Sequence, residues 1–122
     1  MSRPFSRIVP LAVTLLLAST AASALSLAEY QQGRKDAAVR ESQDAYLFVT
    51  FQGMLWYGTA LRDGKPDATL LFCTKPDEVP GEQTVADLIQ AETTAMKGDE
   101  ASTTPMEMVM LRGAQKRFPC KG

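Results

Sequence analysis

The side chains of this chain that could do chemistry are two cysteines and a small set of clustered carboxylates. Cys73 and Cys120 are the only cysteines, and the chain contains no histidine. Histidine is the commonest general base and a common metal ligand, so its absence removes the usual catalytic and metal-binding arrangements. The sequence therefore predicts no catalytic residue, no metal site and no cofactor, and it favours a binding protein over an enzyme.

The carboxylates cluster in two short segments, "KPDEVPGE" with Asp77, Glu78 and Glu82, and "GDEA" with Asp99 and Glu100. One interpretation is solvated loop charge together with negative charge favoured at the N-terminus of a helix. The other interpretation is an acidic surface that contacts a partner. The spacing matches no calcium-binding loop. These five residues are the predicted partner-binding residues.

The N-terminus has the pattern of a secretory signal peptide, which we assign to residues 1–24. Two basic residues, Arg3 and Arg7, precede the apolar run "LAVTLLLA", and Ala22–Ala24 has the small-x-small form of a cleavage site. The alternative is a membrane anchor, but the run is shorter than the ~18 to 20 apolar residues that a span needs. We expect cleavage after Ala24 and a single domain over residues 25–122.

The charge of the predicted mature chain excludes some classes of partner. Loss of Arg3 and Arg7 reduces the 13 basic residues to eleven, against 14 acidic ones. A nucleic-acid-binding domain would instead carry a basic face. No further apolar run is long enough to span a membrane. We therefore expect a periplasmic or secreted protein that binds neither nucleic acid nor, after cleavage, a membrane.

Export predicts a disulfide bond between Cys73 and Cys120, because cysteines in an oxidising compartment pair. The bond would close a loop of about 48 residues, for which the chain-entropy estimate is roughly 4 kcal/mol as an upper figure. The alternatives are two free thiols or a bridge between two chains. A bond within the chain would fasten its C-terminal end.

Capping patterns and apolar spacing predict an all-α fold, a small four-helix bundle with one disulfide. The capping box "SLAE" begins a first helix, from about residue 27 to 34, and Asp36 is a candidate cap for the second. A third helix is predicted from about residue 81 to 97, and "DEAST" is predicted to be a polar loop. "TPME" predicts a fourth helix with Thr104 as N-cap, Pro105 at the first position and Glu107 at the third. Pro119 ends it.

The stretch "AYLFVTFQGMLWYGTALRDGKP" is open to two interpretations. As a helix it places one apolar stripe on one face. The members of that stripe are Leu47, Phe51, Met54, Leu55, Gly58 and Leu61. As a hairpin it would turn at "QG". Helix is favoured because a polar segment leads into the stretch without a breaker and because the run is long for a strand.

Several small or aromatic residues in this stretch carry expectations of their own. In a helix, Gly53 and Gly58 predict places where another helix packs closely. Trp56 and Tyr57 are adjacent, and the favoured interpretation is that both lie in the core or are half-buried. The alternative is that one of them lines a binding face, where aromatic residues are enriched.

The order of these segments resembles a family of small exported proteins, the immunity proteins of type VI secretion amidases. The resemblance covers nearly all of residues 27–120 and rests on "YLFVTFQGMLWYGTALRDGKPDATLLFC", "PGEQTVADLI" and a closing "FPC". The matching positions are Tyr46, Leu47, Gly53, Trp56, Ala60, Leu71, Phe72, Cys73, Gly81, Glu82, Gln83, Phe118, Pro119 and Cys120. It implies an all-helical fold with this disulfide.

For function, the resemblance implies tight binding of a peptidoglycan amidase whose active site is blocked, often by a homodimer. The alternative drawn from size, compartment and composition is a helical stress or chaperone-like protein of the periplasm, without a toxin partner. The first would bind an amidase. The second would expose apolar surface or change its oligomeric state in acid.

Overall fold

A computed structural model of the chain describes residues 24–121, and these residues form five α-helices. No β-strand occurs among them, and no helix in this range is long and apolar enough to cross a membrane. The helices are α1 (Leu27–Gly33), α2 (Ala37–Gly64), α3 (Glu82–Ala95), α4 (Asp99–Thr103) and α5 (Met106–Arg117). The all-α prediction is confirmed. The predicted signal peptide, except for Ala24, lies outside the described residues and stays a prediction.

The first two helices begin where the sequence predicts. The Ser26 side chain accepts a hydrogen bond from the Glu29 N–H, and the Ser26 N–H donates to the Glu29 carboxylate at 2.9 Å. At the start of α2, the Asp36 carboxylate accepts from the N–H groups of Ala38 and Val39. These bonds satisfy backbone donors that a helix leaves without partners in its first turn.

The region before the last helix differs from the prediction in two ways. Asp99–Thr103, predicted as a polar loop, forms the short helix α4. Thr104 was expected to cap α5, but its hydroxyl donates to the Glu100 carbonyl oxygen at 2.6 Å. Pro105 is the N-cap of α5 and makes no side-chain capping bond. The capping prediction is wrong because the Thr104 hydroxyl bonds to a carbonyl oxygen of α4 and not to a backbone N–H at the start of α5.

The stretch that allowed two interpretations is helical throughout, so α2 is one helix of 28 residues. Leu47 and Phe51 are fully buried, and Met54 and Leu55 pack against the core from partly buried positions. The inner stripe predicted from helical spacing is therefore confirmed. A hairpin would have interrupted this stripe at Gln52 and Gly53.

The core forms where α2, α3 and α5 meet, with the connector from α2 to α3 closing one side. The most extensive contact is between α3 and α5. The buried apolar residues are Leu27, Leu47, Phe51, Phe72, Val85, Leu88, Ile89, Met106, Val109, Met110, Ala114 and Phe118. Helical spacing in the third helix predicts an apolar stripe of Val85, Leu88, Ile89 and Met96; the first three are buried in α3, whereas Met96 follows the end of the helix and packs against the core from a partly buried position.

The close helix contact of the fold lies at Gly113 in α5 and not at Gly53 or Gly58. A Cβ atom at Gly113 would lie 2.8 Å from the backbone oxygen of Leu88 in α3. A Cβ atom at Gly53 or Gly58 would meet nothing within 4 Å. The prediction of close packing at the two α2 glycines is therefore wrong, because both lie away from the neighbouring helices.

Replacing Gly113 by alanine is expected to lower the free energy of unfolding by about 1 to 3 kcal/mol, since the new methyl group must push α3 away. Gly58→Ala is the matched control, because it adds a methyl group within α2 at a position with open space. It should raise the free energy of unfolding by about 0.5 to 1 kcal/mol. Urea unfolding of both variants measures the difference. Equal effects would contradict the close contact.

The C-terminal end is fastened to the connector between α2 and α3. Cys73 and Cys120 form the predicted disulfide bond, and the Cys73 N–H donates to the Phe118 carbonyl oxygen at 2.8 Å. The ring of Phe72 stacks on Phe51 of α2 with a centroid distance of 5.5 Å, and its centroid lies 6.3 Å from that of Phe118. Covalent, hydrogen-bonded and aromatic contacts therefore coincide at this point.

The backbone just before and at the start of α1 is hydrogen-bonded to the junction of α4 and α5. The Leu25 carbonyl oxygen accepts from the Met106 N–H at 2.7 Å, and the Leu27 N–H donates to the Thr104 oxygen at 3.1 Å. The backbone at Leu25 and Leu27 is therefore held to the junction of α4 and α5.

Candidate functional site

The segment from Lys75 to Glu82, here called the acidic loop, projects from the bundle just before α3. The Glu78 N–H donates to the Lys75 carbonyl oxygen at 3.0 Å and closes a turn with Pro76 at its second position, which proline favours. Pro80 is buried, whereas Val79 beside it has 88% of its surface exposed. The loop thus presents an apolar side chain on a short segment that is held at both ends.

Three of the five predicted partner-binding residues belong to this loop. Asp77 and Glu78 are exposed at the third and fourth positions of the turn, and Glu82 is the first residue of α3. A carboxylate at that position is favoured by the helix dipole, so a structural reason for Glu82 also exists. The three carboxylates give the loop negative charge on both sides of Val79.

The other two predicted residues lie elsewhere. Asp99 and Glu100 form the first turn of α4, which follows α3, and Glu100 pairs with Arg112 of α5 at 2.9 Å. Asp77, Glu78 and Glu82 therefore lie before α3 or at its start, whereas Asp99 and Glu100 begin α4, which follows it. Glu100 has a partner within the fold.

The outer face of α2 is the surface that sequence reasoning missed. Trp56 is 72% exposed and Tyr57 is 63% exposed, so the interpretation that both lie in the core or are half-buried is wrong. Val49, on the same helix, is exposed as well. The sequence carried a signal for this face, since helical spacing from the buried Leu47 and Phe51 places Val49 and Trp56 on the other side.

Tyr46 connects this face of α2 to α5. Its hydroxyl donates to the Glu107 carboxylate, and this hydrogen bond, aided by burial, raises the pKa of the Tyr46 phenol above its ordinary value. The other oxygen of Glu107 is buried and has no partner within residues 24–121. A phenol kept neutral in this way is a structural hydrogen-bond donor and a poor nucleophile.

A second ion pair joins the two helices that pack most extensively. The Lys116 ammonium of α5 donates to the Glu92 carboxylate of α3 at 2.6 Å. Glu92 is buried while Lys116 is largely exposed. The pair therefore compensates a buried carboxylate and holds α3 to α5, which is a structural role.

Two open grooves flank α2. The first, of about 280 Å³, runs between the C-terminal half of α2 and the connector, where Leu61 and Leu71 line it. The second, of about 670 Å³, lies beside Val39 and Tyr46 near the first described residues. Both are open to solvent and the second is mainly apolar, which suits contact with another surface better than enclosure of a substrate.

Metal-ligating side chains are not clustered among the residues that the structure describes. Over residues 24–121, no group of three or more cysteine, aspartate or glutamate side chains is placed to hold a metal ion. The two cysteines are joined to each other. What the described surfaces offer is an apolar loop tip framed by carboxylates and an uncharged aromatic helix face, both suited to protein contact.

Comparison with known proteins assigns the chain to no family. No family model matches it, and neither a curated protein nor a solved structure matches it. The resemblance to amidase immunity proteins therefore stays a prediction that rests on the short motifs given above.

Proposed function

We propose that this chain is an exported binding protein that inhibits a cell-wall hydrolase by inserting the acidic loop into its active-site cleft. The observation that carries this proposal is the position of Val79, the most exposed large apolar side chain among those of residues 24–121. An isolated apolar tip on a fixed segment is costly to leave in water and favourable to bury in a partner.

The way the loop is held supports inhibition by a preformed segment. Pro76 restricts the turn, buried Pro80 anchors its far side, and the disulfide at Cys73 fixes the chain just before it. A segment that is already ordered loses less conformational entropy when it binds, so more of the contact energy contributes to affinity.

The negative charge of the acidic loop predicts the charge of the partner's binding cleft. Asp77 and Glu78 precede Val79 along the chain and Glu82 follows it, so the complementary cleft carries positive charge beside an apolar pocket. Among cell-wall hydrolases, the resemblance described above narrows the class to a peptidoglycan amidase. An amidase encoded beside this chain is the partner to test first, and the absence of any such neighbour would count against the immunity role.

Val79→Asp is expected to weaken binding to that amidase at least about tenfold, because an apolar contact is lost and a charge enters the interface. Titration calorimetry of residues 25–122 against the amidase measures this effect. Thr94→Asp is the control, since it adds the same charge at an exposed position near the opposite end of α3. Equal affinities of the wild type and Val79→Asp for the amidase would show that the acidic loop is not part of the interface.

A second candidate is a chaperone-like protein of the periplasm, and the observation that favours it is the exposed aromatic face of α2 at Trp56 and Tyr57. Such a protein should bind an apolar dye more strongly as the pH falls and should suppress aggregation of unfolded proteins. An inhibitor with a fixed interface should do neither. Dye fluorescence and light scattering from neutral to acidic pH distinguish the two.

A further inference from the structure

The groove beside the N-terminal half of α2 is the place where unpartnered polar atoms meet an apolar surface. It has a volume of about 670 Å³ and is here called the Tyr46 groove. The residues that line it are Ala24, Leu25, Ala38, Val39, Ser42, Gln43 and Tyr46. None of these seven residues carries a charge, and the walls that they form are mainly apolar. Apolar walls with a few polar groups are typical of binding sites.

Gln43 brings an unpartnered hydrogen-bond acceptor to this groove. The residue is 8% exposed, and its Nε2 faces α1, where it donates to the Glu29 carbonyl oxygen at 3.5 Å. The opposite orientation of the amide would place two acceptors against each other. Its Oε1 is buried and has no partner among residues 24–121. The last torsion angle of a glutamine is soft, so a small turn of the amide brings Oε1 to a donor in the groove.

A carboxylate oxygen of Glu107 is a second unpartnered acceptor, and it adjoins the same groove. Tyr46 donates its hydroxyl to one oxygen of Glu107, and the other oxygen is buried without a partner in the described part of the chain. Met106, the residue before Glu107, donates its N–H to the Leu25 carbonyl oxygen at 2.7 Å. Tyr46 and Leu25 both line the groove. The Glu107 carboxylate therefore lies beside two of the lining residues.

Contacts within the fold do not account for these two acceptors. Over residues 24–121, Gln43 Oε1 and Glu107 Oε2 are the two buried side-chain atoms that have no partner. The start of α5 favours negative charge at Glu107, but it supplies no donor to Oε2. Arg34 pairs with Asp44, and Arg40 does not line the groove. Because a buried acceptor without a donor costs free energy, the pair indicates a donor from outside the described fold.

We propose that the Tyr46 groove binds an apolar segment of a partner protein whose arginine side chain donates hydrogen bonds to Gln43 and Glu107. A guanidinium carries five N–H donors and no acceptor, so one group can serve two separate acceptors. Its charge complements the Glu107 carboxylate. Its flat face packs well on an aromatic ring such as that of Tyr46, and it is less strongly hydrated than a lysine ammonium, which makes its burial less costly.

A short peptide tests the groove without any knowledge of the partner. The probe is acetyl-Leu-Arg-Leu-amide, and NMR spectra of residues 25–122 follow its binding. We expect saturable shifts of the Gln43 side-chain amide and the Tyr46 ring, and none at Trp56. Acetyl-Leu-citrulline-Leu-amide has the same shape without the charge and should bind at least about tenfold more weakly. No shift at Gln43 up to the solubility of the arginine peptide, or equal affinity of the two peptides, would overturn the proposal.

Glu107→Gln tests the carboxylate, because it removes the charge and keeps an acceptor for the Tyr46 hydroxyl. The dissociation constant of the arginine peptide should rise at least about tenfold. Asp63→Asn is the matched control, since it removes the same charge from an exposed position near the other end of α2. It should leave the dissociation constant unchanged. Equal losses of affinity in the two variants would mean unspecific attraction of charge and would contradict the proposed contact.

Gln43→Met distinguishes a binding role from a structural one. Methionine has a similar length and offers no amide oxygen, and the bond that it removes to Glu29 lies at the outer limit of hydrogen-bond length. We expect an unchanged or higher melting temperature, together with at least about tenfold weaker binding of the arginine peptide. A lower melting temperature with unchanged binding would show that Gln43 serves the fold alone. These outcomes are independent of whether an amidase binds the acidic loop.

Discussion

Replacing both Cys73 and Cys120 by serine is expected to lower the free energy of unfolding by about 3 to 4 kcal/mol. The bond joins residues 47 positions apart, and the entropy it removes from the unfolded chain grows with the length of the closed loop. This loss is a large share of the roughly 5 to 15 kcal/mol that holds a small domain folded. Urea unfolding measures it, at one protein concentration so that self-association is held constant.

Reduction of the wild type provides the control for this prediction. The wild type in reductant should approach the stability of the double serine variant, and the variant itself should not respond to reductant. Intact mass before and after alkylation shows whether the bond was present at the start. A wild type whose stability is the same with and without reductant would contradict the fastening role of the disulfide.

Phe51→Ala is expected to lower the free energy of unfolding by about 3 to 5 kcal/mol, as other large-to-small changes in cores do. Phe51 has no exposed surface, and its ring stacks on Phe72, which adjoins the disulfide. The cavity would therefore open between α2 and the connector. Removing this one side chain therefore loses both the buried apolar surface and the aromatic contact to the segment that carries the disulfide.

Phe48→Ala is the matched control, because Phe48 lies on the same helix and only partly covers the core. It should cost clearly less than Phe51→Ala in the same urea titration. Helical content measured by circular dichroism should be nearly unchanged in both variants, since the loss is in packing. Equal costs for the two variants would mean that the core does not centre on Phe51.

Local signals in the sequence were sufficient for most of the fold. Helix starts were predicted from the capping groups Ser26 and Asp36, and the helices α2 and α3 from their apolar spacing, which are signals within a few residues of sequence. The disulfide was predicted from the presence of two cysteines, which allows a single bond. Each of these predictions is confirmed. The capping prediction at Thr104 failed because two helix ends compete for one hydroxyl, and local pattern alone does not decide between them.

The side of a helix that faces the core depends on the whole fold. Gly53 and Gly113 both sit in helices, yet only Gly113 faces a neighbouring backbone. The favoured interpretation of Trp56 is a core or half-buried position, but the packing of α3 and α5 on the inner stripe leaves it outside. The segment around Asp77 was identified from composition, whereas the exposure of Val79 required the three-dimensional fold.

The acidic loop at Val79 would contact a hydrolase. The disulfide at Cys73 lies at the base of the loop and would serve both the stability of the bundle and the rigidity of the inhibitor.

The measurement that tests the central claim most directly is peptidoglycan hydrolysis by the amidase encoded beside this chain, with increasing amounts of oxidised residues 25–122. Inhibition that becomes complete near one chain per enzyme, and that weakens at high ionic strength because the loop carries Asp77 and Glu78, is the predicted result. Hydrolysis at full rate in the presence of a large excess of the folded, oxidised chain would contradict it.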